Sequence, residues 1–105
     1  MAESPEMLRQ RIVGMIEDER RRQIAAEGHD PAADRRYVHG ELAHAAAAYA
    51  FGAAGEEHYV VAECSLWPDR WDPAGYKPSS PARDLVKAGA LILAELERLL
   101  GGDEV

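Results

Sequence analysis

The chain reads as an all-α protein: three helical segments with clear end signals, joined by one irregular aromatic loop. Two observations carry this. Start and stop residues frame Pro5–Glu27, Glu41–Ala54 and a segment opening at Pro81, and the apolar residues inside them recur at helical spacing. The third segment, SSPARDLVKAGALILAELERLLGG, is also too apolar for one solvent-facing helix.

Ser4-Pro5 opens the first helix, and Gly28 is its expected stop. Leu8, Ile12, Met15 and Ile16 form a stripe, whose continuation reaches Glu19, Arg20, Gln23 and Ile24. A core-facing line that turns polar ordinarily leaves the core; the alternative is that it lines a polar cavity. A turn-rich stretch, GHDPAADRRYVHG, leads to the second helix, ELAHAAAAYAFGAA, which is mostly alanine. Alanine favours helix but contributes little apolar area, so this helix is expected to gain by close approach to a neighbour. Ala88, Gly89, Ala90 and Ala94 of the third helix offer a matching patch, and Gly89 is expected to face the second helix.

Residues 55–66 carry a weaker pattern, read as further helix, although Tyr59, Val60 and Val61 also permit a strand. LWPDRWDPAGYKPSSP, with four prolines and three aromatics, cannot be regular structure. The third helix is capped by Ser80, starts at Pro81 and is expected to end on a left-handed Gly101–Gly102 stop. Leu85, Val86, Leu91, Ile92, Leu93, Leu96, Leu99 and Leu100 cover more than one face. A chain of 105 residues, one helical domain spanning 1–105, has little of its own to cover them. Self-association as a homodimer or higher oligomer is therefore expected.

A net charge of −7 argues against duplex nucleic acid as a partner. No apolar run approaches the roughly 20 residues that span a bilayer, and MAESPEMLRQ lacks the basic start and apolar core of a secretory signal. The lone Cys64 forms no intramolecular disulfide, so a cytoplasmic setting is the simplest expectation.

Three constellations could carry chemistry. Trp67 and Trp71 offer stacking faces, with Lys77, Arg83 and Lys87 close behind to meet phosphate. Backbone N–H groups at the start of the third helix would add to such an anion site. The plainer alternative is a loop pinned over the helices by its own tryptophans. Secondly, Glu17, Asp18, Glu19, Glu41, Asp84, Glu95 and Glu97 supply carboxylates, as in MazG-type magnesium-dependent nucleotide pyrophosphohydrolases. The EExxE element with an ExxD following it, which marks that family, does not occur here. Thirdly, Glu41 and His44 form a single Glu-x-x-His pair, where di-iron bundles use two. His29, His39 and His58 add no ligand spacing, and Cys64 has no candidate base beside it in sequence.

The blocks ERRRQIAAEG (19–28), GELAHAAAAYA (40–50), the WP…W…KP loop and DLVKAGALILAELERL (84–99) resemble a group of small helical proteins encoded by bacteriophages and prophages. That group tends to carry tryptophan where His29 stands here. The resemblance implies a compact, oligomeric phage protein in a bacterial cytoplasm. Phage proteins similar in type act as sponges for nucleotide immune signals, cyclic nucleotides or ADP-ribose derivatives, in an anti-defence role.

These observations converge on a binding protein that captures a small nucleotide-derived anion without hydrolysing it. Trp67 or Trp71 stacks on the base, and Arg20, Lys77, Arg83 and Lys87 neutralise phosphate. Gln23, Glu41 and Asp84 hydrogen-bond base or ribose. No catalytic residue, metal or cofactor is called for. A MazG-like enzyme, or a phage protein acting through a protein partner, is the alternative.

Overall fold

The computed structural model describes residues 2–27, 40–55, 66–69 and 71–101, and every regular element among them is helical. Helix α1 spans Pro5–Glu27, α2 Glu41–Ala53 and α3 Pro81–Gly101, with one 3-10 turn at Pro73–Gly75. The expectations for Gly28, His29, His39, residues 56–65 (with His58, Tyr59, Val60, Val61 and Cys64) and Gly102 lie outside the described residues.

Both long helices begin as their sequences dictate. Ser4 accepts the Met7 N–H at 3.1 Å through Oγ, and its carbonyl accepts the Leu8 N–H. Ser80 repeats the arrangement with the N–H groups of Arg83 and Asp84, and proline occupies the first helical position each time. Helix α2 starts differently. Gly40 adopts φ 81°, a left-handed conformation that a side chain would disfavour, and its carbonyl accepts from His44. At the other end Gly55 turns the chain at φ 99°. Gly101, by contrast, is still helical and has no positive φ, so the expected left-handed stop does not begin there.

Helix α3 packs against both other helices, more extensively against α2, while α1 and α2 make little direct contact. This central position accounts for Val86 and Leu91, which are buried, but not for Leu85, Ile92, Leu96, Leu99 and Leu100, which stay exposed. Ala88, Leu91 and Ala94 join Leu42, Ala45, Ala46, Ala48 and Tyr49 of α2 in a core completed by Trp67 and Tyr76. The alanine-rich faces do meet, as close approach between small residues requires. Gly89 corrects one expectation: it faces α1. A Cβ there would lie 3.0 Å from Ile16 Cδ1, and two other Ile16 carbons stand within 3.3 Å. The glycine therefore sets the α1–α3 spacing rather than the α2–α3 spacing.

The stripe on α1 also inverts the simpler expectation. Its polar continuation is the buried half, with Glu19 1%, Arg20 4% and Gln23 4% exposed. The apolar half is the less buried one, with Leu8 39% and Ile12 41% exposed and Met15 and Ile16 half-buried. The line does not leave the core at Glu19; it enters a polar cavity there. No described helix is long and apolar enough to cross a membrane.

Candidate functional site

The cavity, of about 580 Å³, lies where α1, the start of α3, Tyr49 of α2 and the aromatic loop converge. Of the nine residues expected to hold a ligand, Gln23, Trp67, Trp71, Lys77, Arg83 and Lys87 line it. Glu19, Arg22, Tyr49, Asp72, Ser79 and Leu91 complete most of the wall.

The loop is folded onto the core through its aromatic rings. Trp67 is buried, sits 5.4 Å and nearly perpendicular to Trp71, and meets Tyr49 edge-on at 5.9 Å. Its indole N–H donates to the Asp72 carbonyl at 3.1 Å. Tyr76 is tilted against both Trp67 and Tyr49, and its hydroxyl donates to the Ala48 carbonyl at 3.4 Å. The Tyr49 hydroxyl accepts the Lys77 N–H at 3.0 Å. Trp67 is thus an anchor that pins the loop, as the plainer reading of this loop expects. Trp71 is half-buried and keeps ring surface toward the cavity. Burial pushes the Tyr76 phenol up to about 12, reinforced by the negative charge of Asp84 and by Tyr49.

The electrostatic centre is Glu19. Its carboxylate is fully buried and accepts from Arg22 at 2.9 and 2.7 Å, from Gln23 at 3.2 Å, and from Arg83 across the helix interface. Burial pushes its pKa up. The Arg22 hydrogen bonds and charge, the Arg83 charge and the Gln23 hydrogen bond outweigh that, so the group lies below the ordinary carboxylate range. Four cations (Arg22, Lys77, Arg83 and Lys87) and two carboxylates (Glu19 and Asp72) line the cavity, a local positive excess in a chain of net charge −7. Arg83 spends only one nitrogen on Glu19, and Lys77 Nζ has no ion-pair partner among the described residues. Lys87 Nζ donates to the Lys77 carbonyl at 2.6 Å and lies 5.4 Å from the centre of the Tyr49 ring.

Arg20, Glu41 and Asp84 lie away from this cavity. Three consecutive arginines on a helix point about 100° apart. Arg20 pairs with Glu97 of α3 at 2.7 Å, Arg21 with Asp18 in solvent, and only Arg22 turns to the cavity. Asp84 is buried and accepts the Ser79 N–H at 2.7 Å, fixing the strand of chain that enters α3. Glu41 is buried at the start of α2. Nor are the N–H groups at the α3 start all open to an anion, since Ser80 Oγ takes that of Arg83.

Compared with known proteins, the chain matches no family model, no curated protein and no solved structure. The site is therefore read from its own chemistry. Sequence reasoning missed Glu19 and Arg22 as members of it. The signal was present in the α1 stripe, where a glutamate and a glutamine occupy positions that its periodicity assigns to the interior. Among the described residues no three His, Cys, Asp or Glu side chains gather as metal ligands do, and His44 is exposed while Glu41 is buried.

Proposed function

We propose that the chain is a binding protein that captures a small nucleotide-derived anion in the α1–α3 cavity and releases it unchanged. The observation that carries this reading is the conjunction of a cationic wall with an accessible indole. Arg83 and Lys77 supply charge for phosphate, and Trp71 supplies a face on which a base stacks, worth about 1–3 kcal/mol. The volume falls within the range of small-molecule sites, roughly 300–1,000 Å³. The resemblance to phage proteins gives such capture a purpose, the sequestration of a nucleotide immune signal in a bacterial cytoplasm. Self-association through the apolar strips left on α1 and α3 belongs to the same reading.

The test is a capture-and-release assay. The protein is incubated with AMP, cyclic dinucleotides or cyclic ADP-ribose, freed of unbound nucleotide, and heat-denatured. Intact ligand in the supernatant supports sequestration. A shortened product would make the protein an enzyme, and absence of uptake across the panel would point to a protein partner.

A further inference from the structure

Gln23 holds a hydrogen-bonding demand that the protein does not meet. It is 4% exposed on the cavity wall, and its Oε1 is buried with no hydrogen-bond partner among the described residues. The orientation of the amide follows from its neighbour. Nε2 stands 3.2 Å from Glu19 Oε2, and an ionised carboxylate only accepts, so the NH₂ must face Glu19 and the carbonyl oxygen must face away. Arg22 and Arg83 keep that carboxylate ionised by their own donation. The amide cannot flip to relieve Oε1 without setting one oxygen against another. A buried acceptor left unpaired is costly, and that cost is recovered when a donor arrives.

We infer that Gln23 reads the edge of a bound purine, with Oε1 accepting the N–H of an exocyclic amine while the second Nε2 hydrogen can reach an adjacent ring nitrogen. This rests on the nucleotide-capture reading above and deepens it by naming the base. A side-chain amide meets adenine through that donor–acceptor pair on one edge of the ring. Two features favour a purine. Trp71, braced by its perpendicular contact with Trp67, presents a broad indole that a two-ring base covers more fully than a one-ring base. Arg83 and Lys77 serve the phosphate end of the ligand, and Gln23, held in place by Glu19, is an uncharged wall residue whose amide offers both a donor and an acceptor to a base. Glu19 is a positioning residue here, fixing the amide without touching the ligand.

The experiment compares AMP with purine riboside 5′-monophosphate, which keeps the stack, the ribose and the phosphate but lacks the amine. Calorimetry on the full chain should show AMP binding roughly tenfold or more tightly, the loss expected when a buried acceptor is left unpaired. In Gln23→Met the two nucleotides should bind alike, and circular dichroism confirms that the variant is folded. Equal binding of the two nucleotides to the unmodified protein would overturn the inference while leaving nucleotide capture intact, and would assign Oε1 to a ribose hydroxyl. An AMP preference that persists in Gln23→Met would also overturn it. Failure of both nucleotides to bind would bring down the capture reading together with this one.

Discussion

Glu19 of α1 and Arg83 of α3 form an ion pair across 64 positions of sequence, and the carboxylate end of it is fully buried while the guanidinium reaches the cavity. The pair does two things at once. It ties the polar end of α1 to the first turn of α3, and it spends part of the positive charge of the cavity on an internal partner. Stability and anion affinity therefore pull in opposite directions at this residue.

Glu19→Gln separates them. The variant keeps the shape but loses charge-assisted bonds from Arg22 and Arg83, and a loss of about 1–3 kcal/mol is expected in urea denaturation. Affinity for purine riboside 5′-monophosphate, which does not use the Gln23 amide that Glu19 orients, should rise about fivefold, because removing one negative charge near phosphate is worth roughly 1 kcal/mol. The pH dependence has a definite sign. The folded pKa of Glu19 lies below its ordinary value of 4.5, so its stabilisation is present in full above that value. It is lost as pH falls through the lower, folded value. As pH falls below 4.5 the stability gap between the native protein and Glu19→Gln should close. A gap that stays constant over that window would show that the carboxylate is not held by its cations.

Tyr76 gives the alkaline counterpart. Its phenol is raised from 10.0 to about 12, first by burial and then by the charge of Asp84 and by Tyr49, so folding favours the protonated form. That contribution is whole below pH 10 and disappears as pH rises toward 12. Phenolate absorbance at 295 nm should therefore show a step near pH 12 that is missing from Tyr76→Phe. The variant should be nearly as stable at neutral pH, since it keeps the buried ring and the bond to the Ala48 carbonyl is a long one, at 3.4 Å. Ionisation of every tyrosine near pH 10 in the folded protein would contradict the burial of this ring.

The two tryptophans should differ. Trp67→Ala removes a buried ring that touches Tyr49, Tyr76 and Trp71, and should cost about 3–5 kcal/mol. Trp71→Ala removes a half-buried ring and should cost about 1 kcal/mol of stability, while weakening AMP capture roughly tenfold or more. Thermal melts and calorimetry on the two variants check both halves. If Trp71→Ala binds AMP as well as the native chain does, the stacking face lies elsewhere.

The sequence made the helices legible because their ends are chemical. Ser4-Pro5 and Ser80-Pro81 dictate where α1 and α3 begin, whatever they pack against. The composition of the cavity was half legible, through the tryptophans and cations clustered between Trp67 and Lys87. What stayed hidden depends on which helix sits next to which. Gly89 signals a close approach but not its partner, and the partner is Ile16 of α1. Arg20 and Arg22 have the same chemistry and differ only in direction around the helix, so Arg20 goes to Glu97 and Arg22 to the cavity. Asp84 looks like a ligand group and is instead consumed by the Ser79 N–H five residues away.

The packing of α3 also leaves a residue of apolar surface that a partner would cover. Val86, Ala90, Leu91 and Ala94 point inward, while Leu85, Ile92, Leu96 and Leu99 recur seven, four and three residues apart and all stay exposed. That is the spacing of one continuous helical stripe, the kind that seats against another helix. Met7, Leu8, Ile12 and Val13 of α1 are exposed as well, and Val13 and Ile92 share a second, largely apolar cavity of about 550 Å³. Sedimentation at tens of micromolar should show a dimer or larger species. The double substitution Ile92→Asp and Leu96→Asp should return it to a monomer. Neither side chain is buried within the subunit, so helicity should be retained and the melting temperature should fall only by the contribution of assembly. AMP capture by that monomer then decides what the assembly is for. Binding that survives in the monomer makes the Glu19–Arg83 cavity self-sufficient, whereas binding lost with the dimer requires a wall supplied by the second copy.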